Sequence, residues 1–269
     1  MIALENFFAH LNDFAHPELF ENLVHPWDPL KNLQDKIKSL INERYGDVSR
    51  ADTLQGTTFA NEEDRANGKI GHSLFVNQWI EIKTPVLLKP LGIVIGRGTV
   101  LEPSAIIKGP VIIGPDCEIR QGAYIRGNAI VGSHCVIGHA TEIKNSIVMN
   151  HSECGHFNYI GDSIVGSHVN MGAGSKMANF QFRTPEEKEQ NIIRPILVPV
   201  GGEPVETHMQ KLGAIVGDNV ELGCNAVLSP GTLMGRNNWL YPNTTFPKGY
   251  YPPNSIVSPR DRKPKISRQ

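Results

Sequence analysis

Three cations, Lys108, Arg126 and Lys144, recur at intervals of 18 residues, and Cys117 and Cys135 are separated by the same interval. Held in register, such cations suit a phosphate, which a guanidinium meets as a planar fork and an ammonium as a point charge. Five histidines, His134, His139, His151, His156 and His168, fall in the same stretch. A neutral imidazole near pH 7 suits proton transfer. The four cysteines lie 18, 19 and 70 residues apart, which is no CxxC zinc pattern. Cys117 and Cys135 therefore read as small apolar fillers.

Residues at a fixed interval share a face only if the chain coils with that interval, and the sequence supplies the coil. Steps of six from Ile95 meet Leu101, Ile107, Ile113, Ile119, Ile125, Val131, Ile137, Ile143 and Met149. Four residues after most anchors stands a small or β-branched residue, such as Thr99, Ala105, Ala123, Ala129 and Thr141. The frame slips by two, resumes at Val165, Met171 and Met177, and after an interruption runs from Val216 to Phe246. A period of six fits neither a 3.6-residue helix nor a two-residue alternation. It predicts a mainly β fold, a hexapeptide-repeat parallel β-helix over residues 91–269, with three hexads to each triangular coil. Residues 18 apart then stand about 4.8 Å apart on adjacent coils. Lys108, Arg126 and Lys144 become a vertical ladder whose mutual repulsion calls for a phosphate across it, or for local carboxylates such as Glu142.

Around the array the chain changes character. Residues 1–46 predict a small α-helical N-terminal segment, with helices over 4–14, 17–24 and 28–45. Asp28 caps the last of these; Leu30, Leu33, Ile37, Leu40 and Ile41 share one face, and Gly46 follows its end. Residues 47–90 form a mixed approach segment. Residues 180–211, rich in Glu, Gln and Pro, predict a loop excursion of a length that usually serves function. The chain ends in a basic tail with Arg260, Arg262, Lys263, Lys265 and Arg268. With 26 Lys+Arg against 27 Asp+Glu, the net charge of -1 gives no field for nucleic acid or an anionic membrane. No apolar run reaches the ~18 residues of a membrane span, and the first residues lack a signal peptide's basic and apolar regions. The expectation is a cytoplasmic protein with no nucleic-acid or membrane partner. The 26 Gly and 19 Pro agree with a fold of many short turns.

Four segments between residues 122 and 182, GAYIRG, TEIKNS, GHFNYIGDSIVG and VNMGAGSKMANFQF, resemble one family. It is the acetyltransferase domain of the bifunctional N-acetylglucosamine-1-phosphate uridyltransferase/glucosamine-1-phosphate acetyltransferase, in its archaeal-type sugar-1-phosphate nucleotidyltransferase form. The resemblance implies the left-handed coil and a homotrimer with pockets between neighbouring prisms. It also implies acetyl-CoA-dependent N-acetylation of glucosamine-1-phosphate or galactosamine-1-phosphate, a step toward UDP-N-acetylglucosamine. On the matched positions Arg126 and Lys144, with Lys108 above them, would hold the sugar phosphate, and Tyr159 and Asn170 would contact the sugar. His156 would be the general base, and the Ala173 N–H would face the oxyanion and the coenzyme. Asn179 would fix His156 or the substrate amine.

This sequence departs from the family in four places. Asn179-Phe180-Gln181-Phe182 replaces Asn-Tyr-Asp-Gly, Cys224 stands where a coenzyme-contacting serine is usual, and Arg260 lies one place beyond an expected basic position. No Leu-x-Gly-Gly-x-Gly-Thr loop is present, so no uridyl transfer is expected. Ile137-Gly138-His139 is similar to a turn of the β-helix carbonic anhydrases, but Lys144 stands where their second histidine would be. A protonated lysine is no zinc ligand, and no metal is expected. Two alternatives stay open: acyl transfer to another acceptor, and a non-catalytic trimeric scaffold binding sugar phosphate. A protein partner through residues 1–46 is a further expectation.

Overall fold

The computed structural model describes residues 2–60 and 73–258. Most of it is a three-sided prism of short strands, with ten strands on face I and nine each on faces II and III among the described residues. Each coil passes the faces in that order. Ile95, Leu101 and Ile107 point inward in one coil, and Ile113, Ile119 and Ile125 stack on them in the next. Small residues, among them Ala105, Cys117, Ala123 and Cys135, fill the corners and are buried. The chain turns these corners through left-handed backbone at positions such as Asp116, His134, His151 and His168, with φ of +54°, +56°, +59° and +58°. Asp, Asn and His tolerate that region better than other side chains do.

The coil is not uniform. Val131 is partnered by Val148, and Val148 by Val165, each 17 residues on. Met149, expected as an inward anchor, instead lies outside the prism, where it packs with the N-terminal segment. The slip of two is thus two corners shortened by one residue each, at Lys144-Asn145 and Gly161-Asp162. Asn145 and Asp162 sit there at φ of +48° and +49°.

Residues 73–88 run as a coil in reverse. Ser73–Val76 pairs antiparallel with Ile106–Lys108, Ile80–Glu81 with Val100–Leu101, and Val86–Leu88 with Ile93–Ile95. This gives the prism's first strands antiparallel partners and so covers an edge that would invite aggregation.

Face I is apolar on its outside as well. Leu87, Val94, Ile112, Ile130, Ile147, Ile164, Ile215 and Leu233 are aligned along it by the strand register. The N-terminal segment covers this stripe, burying Phe7, Phe14, Phe20 and Trp27 against it. Asp218 is wholly buried and fixes the join: its carboxylate accepts from the N–H groups of Ala9, His10 and Ser167 at 2.6–2.9 Å. Most of the large apolar side chains of residues 2–46, the segment through which a protein partner was expected, are thus packed against their own prism, with Val24 left exposed.

Helix is scarcer here than the sequence predicts. Helix α1 spans Leu33–Arg44, not residues 28–45. Asn32, at φ +54°, turns the chain immediately before it. The Asp28 carboxylate reaches back to the N–H groups of Val24 and His25 and pairs with Lys31 at 2.7 Å. The two helices expected earlier are 3-10 turns at Leu4–Asn6, Leu11–Asp13 and Pro17–Phe20. Segments this short do not offset the cost of helix nucleation, and burying aromatics on face I decides their path.

The excursion leaves after Met177 and rejoins at Ala214. It holds helix α2, Pro185–Glu189, capped by a Thr184–Glu187 box. A hairpin follows, Leu197–Val200 against Glu203–Glu206. Ile196 and Val198 bury into the face I cluster, so the expected loop is in part an ordered flap. The basic tail, Arg260 included, lies outside the described residues.

Candidate active site

The ladder on face III stands in register: Lys108, Arg126 and Lys144 follow Ile107, Ile125 and Ile143, which are partnered coil to coil. Carboxylates neutralise part of it. Glu142 takes a hydrogen bond from Arg126 Nη1 at 2.6 Å, which together with their charge attraction raises the arginine's already high pKa. Asp162 lies 3.4 Å from Lys144 Nζ. Lys108 and Arg126 both lie over the Tyr124 ring, at 5.4 and 5.8 Å.

One coil further the ladder position falls to Gly161, the partner of Lys144. A Cβ there would come within 2.6 Å of Tyr159 Oη and 2.7 Å of Asn179 Nδ2. The missing side chain lets Tyr159 and Asn179 close over this position, and beside them lies a cavity of about 270 Å³ in which Arg126, Lys144, Tyr159 and Asn179 meet. Phe180, Ile193 and Lys211, all from the excursion, complete its lining. Tyr159 is half-buried, and burial, then the charges of Glu142 and Asp162, raise its pKa. It therefore remains a phenol at neutral pH.

Asp162 is the hub of this cavity and was not singled out from sequence. Its carboxylate is 8 % exposed and accepts from Asn145 Nδ2 at 2.8 Å and Asn179 Nδ2 at 2.5 Å while facing Lys144. The signal was available: both five-residue corners border the cavity, and the excursion replaces the third. Lys211 likewise marks the place where the array resumes.

The remaining candidates stand at the other edge of face III. His139 is in register with His156. Continuing coil by coil, the corner bonds Gly174 N–H to His156 O and Asn225 N–H to Ala173 O extend the column through Ala173 to Cys224. His156, Ala173 and Cys224 thus occupy one corner on successive coils. The Ala173 N–H has no hydrogen-bond partner among the described residues, as an oxyanion donor requires. His156 is exposed, and so is Cys224. Asn170 points outward from face II and donates to Glu221 at 2.9 Å, away from the cavity. Within one prism, then, the phosphate candidates and the base candidate are separated by roughly five residues of strand, on the order of 16 Å. Among the described residues, no group of three or more His, Cys, Asp or Glu could hold a metal ion. No described helix is long and apolar enough to cross a membrane.

Comparison with known proteins bears on the same region. The family described as the GMPPB C-terminal domain matches residues 107–244. The bifunctional sugar-1-phosphate nucleotidylyltransferase/acetyltransferase of Sulfurisphaera tokodaii is 34 % identical over 106 residues, 39 % of this chain and 24 % of the relative. The bifunctional protein GlmU of Methanococcus aeolicus is 31 % identical over 107 residues, 40 % of this chain and 24 % of its own length. The match therefore spans about a quarter of the length of these curated relatives. Among solved structures, the polysialic acid O-acetyltransferase OatWY aligns at 15 % identity with a TM-score of 0.25, over 58 % of this chain and 80 % of that one. The polySia-specific acetyltransferase NeuO aligns at 12 % and 0.29, over 65 % and 84 %.

Proposed function

The chain belongs to the family of the GMPPB C-terminal domain, and from that premise we propose that it is an acetyl-CoA-dependent N-acetyltransferase of an amino-sugar 1-phosphate. The observation that carries this reading is the cavity in which Arg126, Lys144, Tyr159 and Asn179 meet. In this reading the two cations, with Lys211, hold the phosphate, and the Tyr159 hydroxyl and Asn179 amide hold the sugar. His156 accepts the proton from the attacking amine. The Ala173 N–H receives the carbonyl oxygen of the thioester, and the Cys224 corner, with Arg260 beyond it, meets the coenzyme. Lys108 extends the cation ladder one coil beyond Arg126, and Asn170, on face II, would meet an acceptor only in the cavity of a neighbouring prism. The active unit is a homotrimer: face I is covered, so faces II and III are left to pack, and a neighbouring prism can bring its histidine corner to this cavity. The thioester is supplied by acetyl-CoA, and no metal enters the reaction.

Free-thiol release from acetyl-CoA, with glucosamine-1-phosphate and in parallel galactosamine-1-phosphate, tests this directly. Turnover lost in His156→Ala supports both reaction and base. A folded wild-type protein that releases thiol with neither sugar would refute the reading. A second acceptor class is favoured by the ion pairs themselves. The side chains of Arg126, Lys144 and Lys211 against those of Glu142 and Asp162 leave a local charge of three minus two, or +1. An uncharged sugar amine or hydroxyl suits that balance, and turnover confined to unphosphorylated acceptors would select it.

A further inference from the structure

At the prism's N-terminal end, helix α1 and the reversed coil enclose a cleft of about 670 Å³. It shares no lining residue with the 270 Å³ cavity and lies within the 300–1,000 Å³ range of small-molecule sites. Its floor is apolar: Ile41 of α1, Leu87 of the reversed coil and Leu91 of the turn after it line it, and all three are buried. Its rim carries three cations from three separate segments. Lys38 comes from α1, Arg50 from the strand Ser49–Ala51, and Lys89 from the turn after Val86–Leu88. No carboxylate is among the lining residues. Asp35 approaches Lys38 only to 3.9 Å, from one turn back on the helix, and both are largely exposed. Arg50 Nη2 donates to Gly46 O at 2.9 Å, which steadies the guanidinium without neutralising it. Lys89 has no ion pair among the described residues. Gln34 and Asn42 flank Lys38 at i−4 and i+4 on the same helix face and line the cleft as well.

Like charges gathered at one opening repel unless an anion lies between them. The face III ladder relieves that repulsion with Glu142 and Asp162, whereas this cleft is lined by no such group. A bare phosphate would leave the apolar floor unused, and a hydrocarbon ligand would leave the cations unused. We infer that the cleft is a second binding site, for a nucleotide whose ring system lies on Ile41, Leu87 and Leu91 and whose di- or triphosphate meets Lys38, Arg50 and Lys89. This inference is independent of the transferase reading.

Calorimetric titration of the full chain with ADP, GDP and UDP, and with pyrophosphate as the ring-free control, tests it. At least one nucleotide is expected to saturate with a Kd below about 1 mM, and pyrophosphate to bind at least about tenfold more weakly. Arg50→Glu and Lys89→Glu, both at exposed positions, are expected to melt like the wild type and to weaken that nucleotide at least about tenfold. Arg126→Glu, in the other cavity, should leave its affinity unchanged. Three results would each overturn the assignment: no saturation by any nucleotide, pyrophosphate binding as tightly as the nucleotides, or affinity lost in Arg126→Glu but kept in Arg50→Glu. If one charge reversal fails to fold, Lys38→Glu on the exposed face of α1 asks the same question.

Discussion

Gly161 and Asp162 sit side by side and do different things: one lets Tyr159 and Asn179 close over it, and the other supplies the charge that holds Asn179 and faces Lys144. A methyl group at Gly161 would press on Tyr159 Oη and Asn179 Nδ2, both ends of side chains rather than backbone. Gly161→Ala should therefore melt within a few degrees of the wild type while raising the acceptor KM at least about tenfold, measured by thiol release. Asp162→Ala acts on stability instead. It leaves the Asn145 and Asn179 amides and the Lys144 ammonium without their acceptor, at a cost of about 1–3 kcal/mol in denaturant unfolding. Equal stability of the two proteins would show that water replaces the carboxylate. The ladder was readable from sequence because cations at a fixed interval are conspicuous. Asp162 was not, since a corner aspartate in left-handed backbone has an ordinary conformational reason to be there.

The elements between the prism and its N-terminal cover are tied by imidazoles. His134, His151 and His168 stack ring on ring at 4.8 and 4.7 Å, and His10 from the cover meets His168 edge-on at 5.2 Å. Burial, then the charges of His168 and His134, lowers the pKa of His151; Asp13 opposes the shift and His10 adds to it. His16, wedged beside Arg44 and hydrogen-bonded to Tyr45 at 3.1 Å, is also lowered, chiefly by burial. Both groups bind protons less readily in the native state than in the unfolded chain. Their contribution to stability is thus complete above the unfolded value of 6.5 and is lost as pH falls below it. Thermal unfolding should show a falling Tm between pH 7.5 and 5.5. His151→Asn, which suits the left-handed corner, should flatten that fall; an unchanged slope would remove His151 from the account. This level of organisation was only half legible. The six-residue period gave the inward anchors, but the outward stripe recurs only once per coil, one residue before each face I anchor, and was hidden beside it. Without that stripe the aromatics of residues 1–46 looked like helix formers, when their positions are set by what they cover.

Across the whole molecule, stability depends on closing face I, because a prism with one bare aliphatic side would aggregate. Phe14 is fully buried in that closure, and Phe14→Ala should cost about 3–5 kcal/mol in denaturant unfolding while leaving the distant cavity's acceptor KM unaltered. A shift in KM would mean that cover and cavity are coupled. The excursion has a different relation to the stack. Val165 is partnered by Val216, Met171 by Leu222 and Met177 by Leu228, so the coils before and after it are direct neighbours. Its ends are pinned together as well, Leu212 N–H to Asn179 O at 3.1 Å and Gly213 N–H to Asp162 O at 2.8 Å. A segment that departs and returns at adjacent rungs can be shortened, lengthened or exchanged without shifting a single partner in the prism. On the proposed function, the lining that Phe180, Ile193 and Lys211 contribute is a cassette, and grafting it is expected to change acceptor preference while the strand partners beneath stay as they are.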